Sequence, residues 1–250
     1  MISKFVQAIP QPVTSRLKDT LIDKLWQSYR IKNLETVTAV FDTSAGELRL
    51  EIPQGHPFLE KADKPGGHEP ALTRELENIV DRSTVFYDVG ARFGYHTVLT
   101  MMLGVPENQI HAFEGHPVSF SVLERNHNYN ISLTNSFVGD GSNNLSLDEY
   151  VRRNQDPTVL KIDVEGAELN VLRGATDLLS KSKPKIYIEI HPHLIHRTND
   201  EVSDIYELLR SNGYQLSILN HRTTESVWED LDQSAPNTEE VHLLRGSNKC

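Results

Sequence analysis

The stretch TVFYDVGARFGYHTVLTMML, residues 84–103, decides the fold. A short apolar run, Val85 to Val89, ends in a turn carrying Gly90 and Gly94, and apolar residues then recur at helical spacing. A strand buried on both faces gives such a continuous apolar run, and a helix folding back over it needs a compact turn. The cycle repeats downstream. Strands are predicted at QIHAF (109–113), SFVGD (136–140), TVLKIDV (158–164), KIYIEI (185–190) and YQLSIL (214–219), with EVHLL (240–244) as a last edge strand. Helices are predicted at 95–103, 118–128, 146–153, 167–180 and 200–212, the last closed by Gly213. Strands alternating with helices specify a doubly wound α/β fold with a mostly parallel sheet.

Upstream, residues 1–80 read as an extension packed on a main domain of residues 81–250. Leu21, Ile22, Leu25, Trp26 and Tyr29 line one face of a helix predicted over 17–31. VTAVFD and ELRLEI form a hairpin across Ser44-Ala45-Gly46, residues 53–67 a loop, and residues 69–80 a further helix.

The 250 residues carry 25 Lys and Arg against 35 Asp and Glu, a net charge of −10 that repels a nucleic-acid backbone. No apolar run reaches the roughly 18 residues of a spanning helix, and the single Cys250 excludes an internal disulfide. These features predict a soluble, cytoplasmic protein with no membrane span and no nucleic-acid partner, whose helix bearing Trp26 and Tyr29 either covers the sheet or meets another subunit.

In open α/β sheets the ligand lies outside the carboxyl ends of the strands. Those ends are Asp88-Val89-Gly90, Glu114-Gly115, Asp140-Gly141, Asp163-Val164-Glu165-Gly166 and Glu189-Ile190-His191, each with an acidic residue. The first turn, Gly90-Ala91-Arg92-Phe93-Gly94, lacks two glycines of the dinucleotide fingerprint, which argues against a nicotinamide oxidoreductase. Asp88 beside it favours a cationic ligand group such as an amino-acid ammonium. Glu114 stands where a carboxylate accepts from a ribose diol, and Asp140 is placed to accept from an adenine amine, although an Asp-Gly turn explains it equally. Ammonium, diol and exocyclic amine together describe S-adenosyl-L-methionine.

FYDVGARFGYHT, HAFEGHP, LSLDEYV, LKIDVEGAELNVLRGA and IYIEIH, within about residues 67–195, resemble the FkbM-type S-adenosylmethionine-dependent methyltransferases. The resemblance implies a seven-stranded Rossmann-like sheet and methyl transfer, typically to an oxygen of a sugar or other small hydroxylated metabolite. Asp88, Gly90 and Gly94 would then form the cofactor loop, Glu114 the ribose clamp, and Asp163, Glu165 and Gly166 the site floor. Glu69 matches an acidic position ahead of the first helix and would close over the cofactor, unless it serves only as a helix cap. Two departures stand out: Arg92 where the family usually has asparagine, and a short stretch between Glu114 and Leu147.

Methyl transfer to a hydroxyl requires alignment, exclusion of water and removal of a proton. Asp163, Glu189 and His191 are the catalytic candidates, with a neutral His191 expected as base because its ordinary pKa is about 6.5. Glu165 is kept as a site residue, whereas Glu168 is assigned to the helix dipole. No required metal is expected, but a metal-dependent enzyme using Asp163, Glu189 and His191 is one alternative. A non-catalytic nucleoside-binding protein of the same fold is the other.

Overall fold

The computed structural model describes residues 31–64, 67–127, 130–198, 200–219, 227–231 and 241–248. The predicted helix bearing Trp26 and Tyr29 lies outside them. Strands β1 (Thr36–Thr43) and β2 (Gly46–Pro53) form the expected antiparallel hairpin, paired from Thr36↔Pro53 to Thr43↔Gly46. The loop after it contains a 3-10 turn over Pro57–Lys61 and leads to α1 (Pro70–Ile79).

The main domain then runs β3 (Phe86–Val89), α2 (Tyr95–Met102), β4 (Ile110–Phe113), α3 (Pro117–Asn126), β5 (Ser132–Thr134), α4 (Leu147–Tyr150), β6 (Val159–Ile162), α5 (Glu168–Arg173) and α6 (Thr176–Lys181). It continues through β7 (Lys185–Ile190), α7 (Pro192–Ile195), α8 (Val202–Ser211), β8 (Tyr214–Leu219), β9 (Glu229–Asp230) and β10 (His242–Asn248). The main sheet has the order β5-β4-β3-β6-β7-β10-β8-β9. Strands β3 to β7 pair in parallel, and β10 runs antiparallel to both neighbours. The doubly wound, Rossmann-like α/β fold is therefore present, with eight strands among the described residues instead of seven.

Three expectations are corrected. The third strand lies at Ser132–Thr134, ahead of the predicted 136–140, where Val138 makes only an isolated bridge with Leu145. The β10 strand is interior, inserted between β7 and β8. The helix predicted over 167–180 divides into α5 and α6 at Gly174, where an added Cβ would stand 1.8 Å from the Gly139 carbonyl oxygen.

Side chains alternating across the strands build a core on each face of the sheet. Tyr87, Val89, Leu160, Ile162, Ile186 and Ile188 face α5, α6 and α8. Phe86, Val159 and Tyr187 point the opposite way, towards α1, α2 and the hairpin residues Phe41, Leu48, Leu50 and Ile52. Asp88 and Lys161 fall on this second face, directly opposite each other in the β3–β6 register.

Candidate active site

Between β3 and β6 the direction of winding reverses, which opens a crevice at the strand ends. The Gly90 and Ala91 N–H groups both donate to the Phe113 carbonyl oxygen at 2.9 Å, folding the β3–α2 turn over β4. Gly90 has φ +82°, and an added Cβ would lie 1.7 Å from the Asp163 carbonyl oxygen, so this approach admits only glycine. Gly94 begins α2 at φ +91°, and its Cβ would strike the His127 ring.

Arg92 also takes a positive φ, 52°, which explains why asparagine suits this place in the resembling family. Its N–H donates to Glu114 Oε2 at 2.9 Å, while the His116 N–H donates to Oε1 at 2.7 Å. Two backbone amides thus hold the Glu114 carboxylate, and its remaining lone pairs face a cleft of about 500 Å³. Gly115 and Phe137 line the same cleft. Phe137 is 61% exposed, and its ring covers the Gly115 Cα so closely that a Cβ there would be 2.2 Å away. An exposed aromatic ring beside a carboxylate offers a flat face on which a planar group can stack.

A second cleft, of about 700 Å³, shares Gly90, Arg92, Asp163 and Glu165 with the first, so the two meet at the tips of β3 and β6. Glu189 from β7 and His191 just after it stand on one part of its wall, His68, Glu69 and His96 on another, and Ala91 and Phe93 also border it. The Arg92 guanidinium lies 5.6 Å from the Phe93 ring centroid and 5.8 Å from that of Phe58.

Asp88 departs from its expected place. Its buried carboxylate lines neither cleft; Oδ2 accepts from the Thr97 hydroxyl at 2.6 Å, and Oδ1 pairs with Lys161 Nζ at 3.0 Å. Burial raises its pKa, but Lys161, His96 and the Thr97 hydroxyl outweigh burial and hold it below the usual value. Lys161 also donates to the Gly90 carbonyl oxygen at 3.1 Å and lies 3.8 Å from Asp163 Oδ2. Its pKa is raised because Asp88, Asp163 and Glu69 together overcome the opposing effect of burial. Asp88 therefore anchors a buried cation that braces the glycine turn.

Asp163, Glu189 and His191 come together, offering ligand atoms within 4.8 Å of one another. Burial and the charges of Glu189 and Glu69 raise the Asp163 pKa well above the ordinary carboxylate value, against the lowering effects of Lys161 and His191. The neutral imidazole expected at position 191 is not what the surroundings favour. Burial lowers the His191 pKa, but the Glu168 hydrogen bond and the charges of Glu189, Asp163 and Glu168 raise it to about 9. Glu168, assigned from sequence to the helix dipole alone, is fully buried, and its Oε1 lies 2.8 Å from His191 Nδ1.

Glu165, at φ 48°, borders both clefts. Asp140 is not brought to either; it is exposed, and its Oδ1 accepts from the Ser142 N–H at 3.0 Å, closing a local turn. Glu69 occupies the N-cap of α1 without capping it, and its Oε1 pairs with His68 Nε2 at 3.0 Å. Burial would raise the Glu69 pKa, yet His68, His96 and Lys161 hold it well below the ordinary range.

Sequence reading missed Lys161, Phe137, Glu168, His68 and His96. A lysine inside an otherwise apolar parallel strand is a signal in its own right, because it must meet a carboxylate. Phe137 was absorbed into the strand predicted at 136–140, so nothing local marked it as a cleft residue.

Residues 141–216 match the family model described as the methyltransferase FkbM domain. No curated protein sequence matches the chain. Among solved structures, a methyltransferase FkbM from Methylobacillus flagellatus aligns at 20% identity with a TM-score of 0.49, over 66% of this chain and 44% of that one. The chain thus spans less than half the length of that relative. A precorrin-6y C5,15-methyltransferase from Geobacter metallireducens aligns at 17% identity and a TM-score of 0.49, over 75% and 91% of the two chains. A SAM-dependent O-methyltransferase from Thermotoga maritima aligns at 12% identity and 0.46, over 84% and 77%. The family match includes the DVEGAE and IYIEIH segments, so over residues 141–216 the resemblance to methyltransferase FkbM domains is borne out.

Proposed function

We propose that the chain is an S-adenosylmethionine-dependent methyltransferase acting on a hydroxyl oxygen of a small hydroxylated acceptor. The observation that carries this reading is the junction of the two clefts at Gly90, Arg92, Asp163 and Glu165. The smaller cleft has groups suited to a nucleoside, Glu114 for the diol and Phe137 for the base. The larger holds the titratable cluster Asp163, Glu189 and His191, where an acceptor would lie. When bound, S-adenosylmethionine supplies an electrophilic methyl group on a sulfonium.

The residues of the chain do the remaining work. Gly90 lets the two loops close on each other, and Glu114 fixes the nucleoside by its free lone pairs. Asp163 borders both clefts, and its raised proton affinity suits it to receive the acceptor's hydroxyl proton as the new bond forms. Glu189 and the imidazolium of His191 orient the acceptor, and the imidazolium offsets the negative charge that Asp163 carries until it takes the proton. Such a base contributes typically about 10²–10⁴-fold to rate.

The test is transfer of labelled methyl from S-adenosylmethionine to a panel of hydroxylated metabolites. Asp163→Asn should lower turnover by at least about 100-fold while preserving the thermal shift from S-adenosylhomocysteine. Stabilisation by NAD in place of S-adenosylhomocysteine, or methylation confined to nitrogen acceptors, would overturn the proposal.

A further inference from the structure

We propose that His68, Glu69 and His96 bind one divalent first-row cation of zinc type in the wall of the larger cleft. The three side chains come from the segment preceding α1 and from the first turn of α2, and their ligand atoms lie within 4.8 Å of one another. His68 Nε2 is 3.0 Å from Glu69 Oε1, and His96 Nε2 is 3.7 Å from Glu69 Oε2. Zinc holds nitrogen and oxygen ligands at about 2.0–2.2 Å, so tetrahedral neighbours stand roughly 3.3 Å apart. The two distances bracket that spacing, and small side-chain movements complete the set.

Two independent features separate this group from an ordinary buried ion pair. First, the His96 side chain is 3% exposed, and its Nε2 has no hydrogen-bond partner among the described residues. Buried polar atoms are otherwise satisfied in the great majority of cases. An atom aimed at Glu69 but too far away for a hydrogen bond suits a position at which a cation completes the contact.

Second, Glu69 adopts the left-handed conformation, φ 46° and ψ 65°, at the N-cap of α1, yet makes no side-chain cap. Such a conformation is unfavourable for a non-glycine residue and persists where the surroundings impose it. Here it directs the carboxylate between two imidazoles.

The donor set also fits the cation. Two imidazoles and one carboxylate form the ligand type of catalytic zinc sites and of non-haem iron centres, both of which keep a coordination position open. All three residues border the cleft, so that position would face the ligand space. The neighbouring group of Asp163, Glu189 and His191 is less suited. Asp163 lies 3.8 Å from the Lys161 ammonium, whose positive charge opposes a cation there. The inference is independent of the methyl-transfer reading, since metal binding is measured without donor or acceptor.

The experiment uses the full chain, freed of metal with a chelator and titrated with Co²⁺ by visible absorption, then with Zn²⁺ by calorimetry. One equivalent should bind, with the d–d bands of a four- or five-coordinate nitrogen and oxygen site. Glu69→Gln, His68→Ala and His96→Ala should each weaken binding by about 100-fold or more, whereas His191→Ala and Asp163→Asn should stay within a few-fold of the parent. Circular dichroism verifies the fold of each variant, and the His68 variant, altered at the cleft wall, covers the case in which the buried His96 change unfolds the chain. Absence of saturable binding would overturn the proposal. So would loss of binding in His191→Ala or Asp163→Asn with retention in His68→Ala and Glu69→Gln.

Discussion

Glu168 Oε1 lies 2.8 Å from His191 Nδ1 and 3.0 Å from the Gly166 N–H, so one fully buried carboxylate ties the end of β7 to the β6–α5 turn. Its charge is shared between a backbone amide and an imidazole. A carboxylate behind a histidine fixes both the ring orientation and the nitrogen that carries the proton.

The Glu168→Gln variant should therefore shift the His191 titration from about 9 towards its ordinary value, measured on the imidazole resonances by NMR. Turnover should fall while S-adenosylhomocysteine still stabilises the protein. An unmoved titration would remove the positioning role.

Stability should depend on pH through the same ring. Because the folded-state pKa of His191 is raised to about 9, the native protein retains a proton that the unfolded chain loses above about 6.5. The stabilisation is complete below pH ~6.5 and is lost as pH rises through about 9, amounting to at most ~3 kcal/mol. Chemical denaturation between pH 6 and 9.5 should show this decline in the parent and a flatter profile in His191→Gln.

Glu114→Ala should abolish most of the thermal shift produced by S-adenosylhomocysteine. Hydrogen bonds to a charged group contribute about 1.5–3 kcal/mol each, so affinity should fall roughly 10- to 100-fold or more. The apo melting temperature should move less, a comparison made in one fluorimetry series.

Gly90→Ala should destabilise by more than about 3 kcal/mol or prevent folding, since its Cβ would stand 1.7 Å from the Asp163 carbonyl oxygen. Gly55→Ala is the matched control, with φ +75° and nothing within 4 Å. It should cost only about 1 kcal/mol, from backbone conformation alone. Similar losses at both positions would show that close approach is not what requires glycine at 90.

Lys161→Met should cost about 3–5 kcal/mol by leaving Asp88 charged and buried without its partner. The double variant with Asp88→Leu should recover part of that loss. Additive effects in urea denaturation would contradict direct coupling.

Much of this architecture was legible because each β–α cycle leaves a local trace. The apolar runs ending at Val89, Phe113, Ile162 and Ile190 mark strands, and the acids beside three of those ends, Glu114, Asp163 and Glu189, mark the crevice. β5 was misplaced because Ser132–Thr134 is short and half-buried, so it lacks the apolar run that identified its neighbours. The position of β10 was hidden for another reason: a strand's own pattern does not state which neighbours it joins. Asp88 and Glu168 were misread because their roles depend on partners 73 and 23 residues away, Lys161 and His191 respectively. Gly90 was legible as the glycine of a tight turn, although the Asp163 carbonyl that leaves no room for a Cβ lies 73 residues away in sequence.

The interior position of β10 makes assembly of the larger cleft depend on a distant part of the chain. Until residues 242–248 emerge during translation and pair, β7 presents an open backbone rim, on the strand that carries Glu189 and leads to His191. Such a rim is a template for pairing with other nascent polypeptides. Polypeptides stalled before β10 should therefore need chaperone protection and should be readily cut near β7, whereas the finished chain resists.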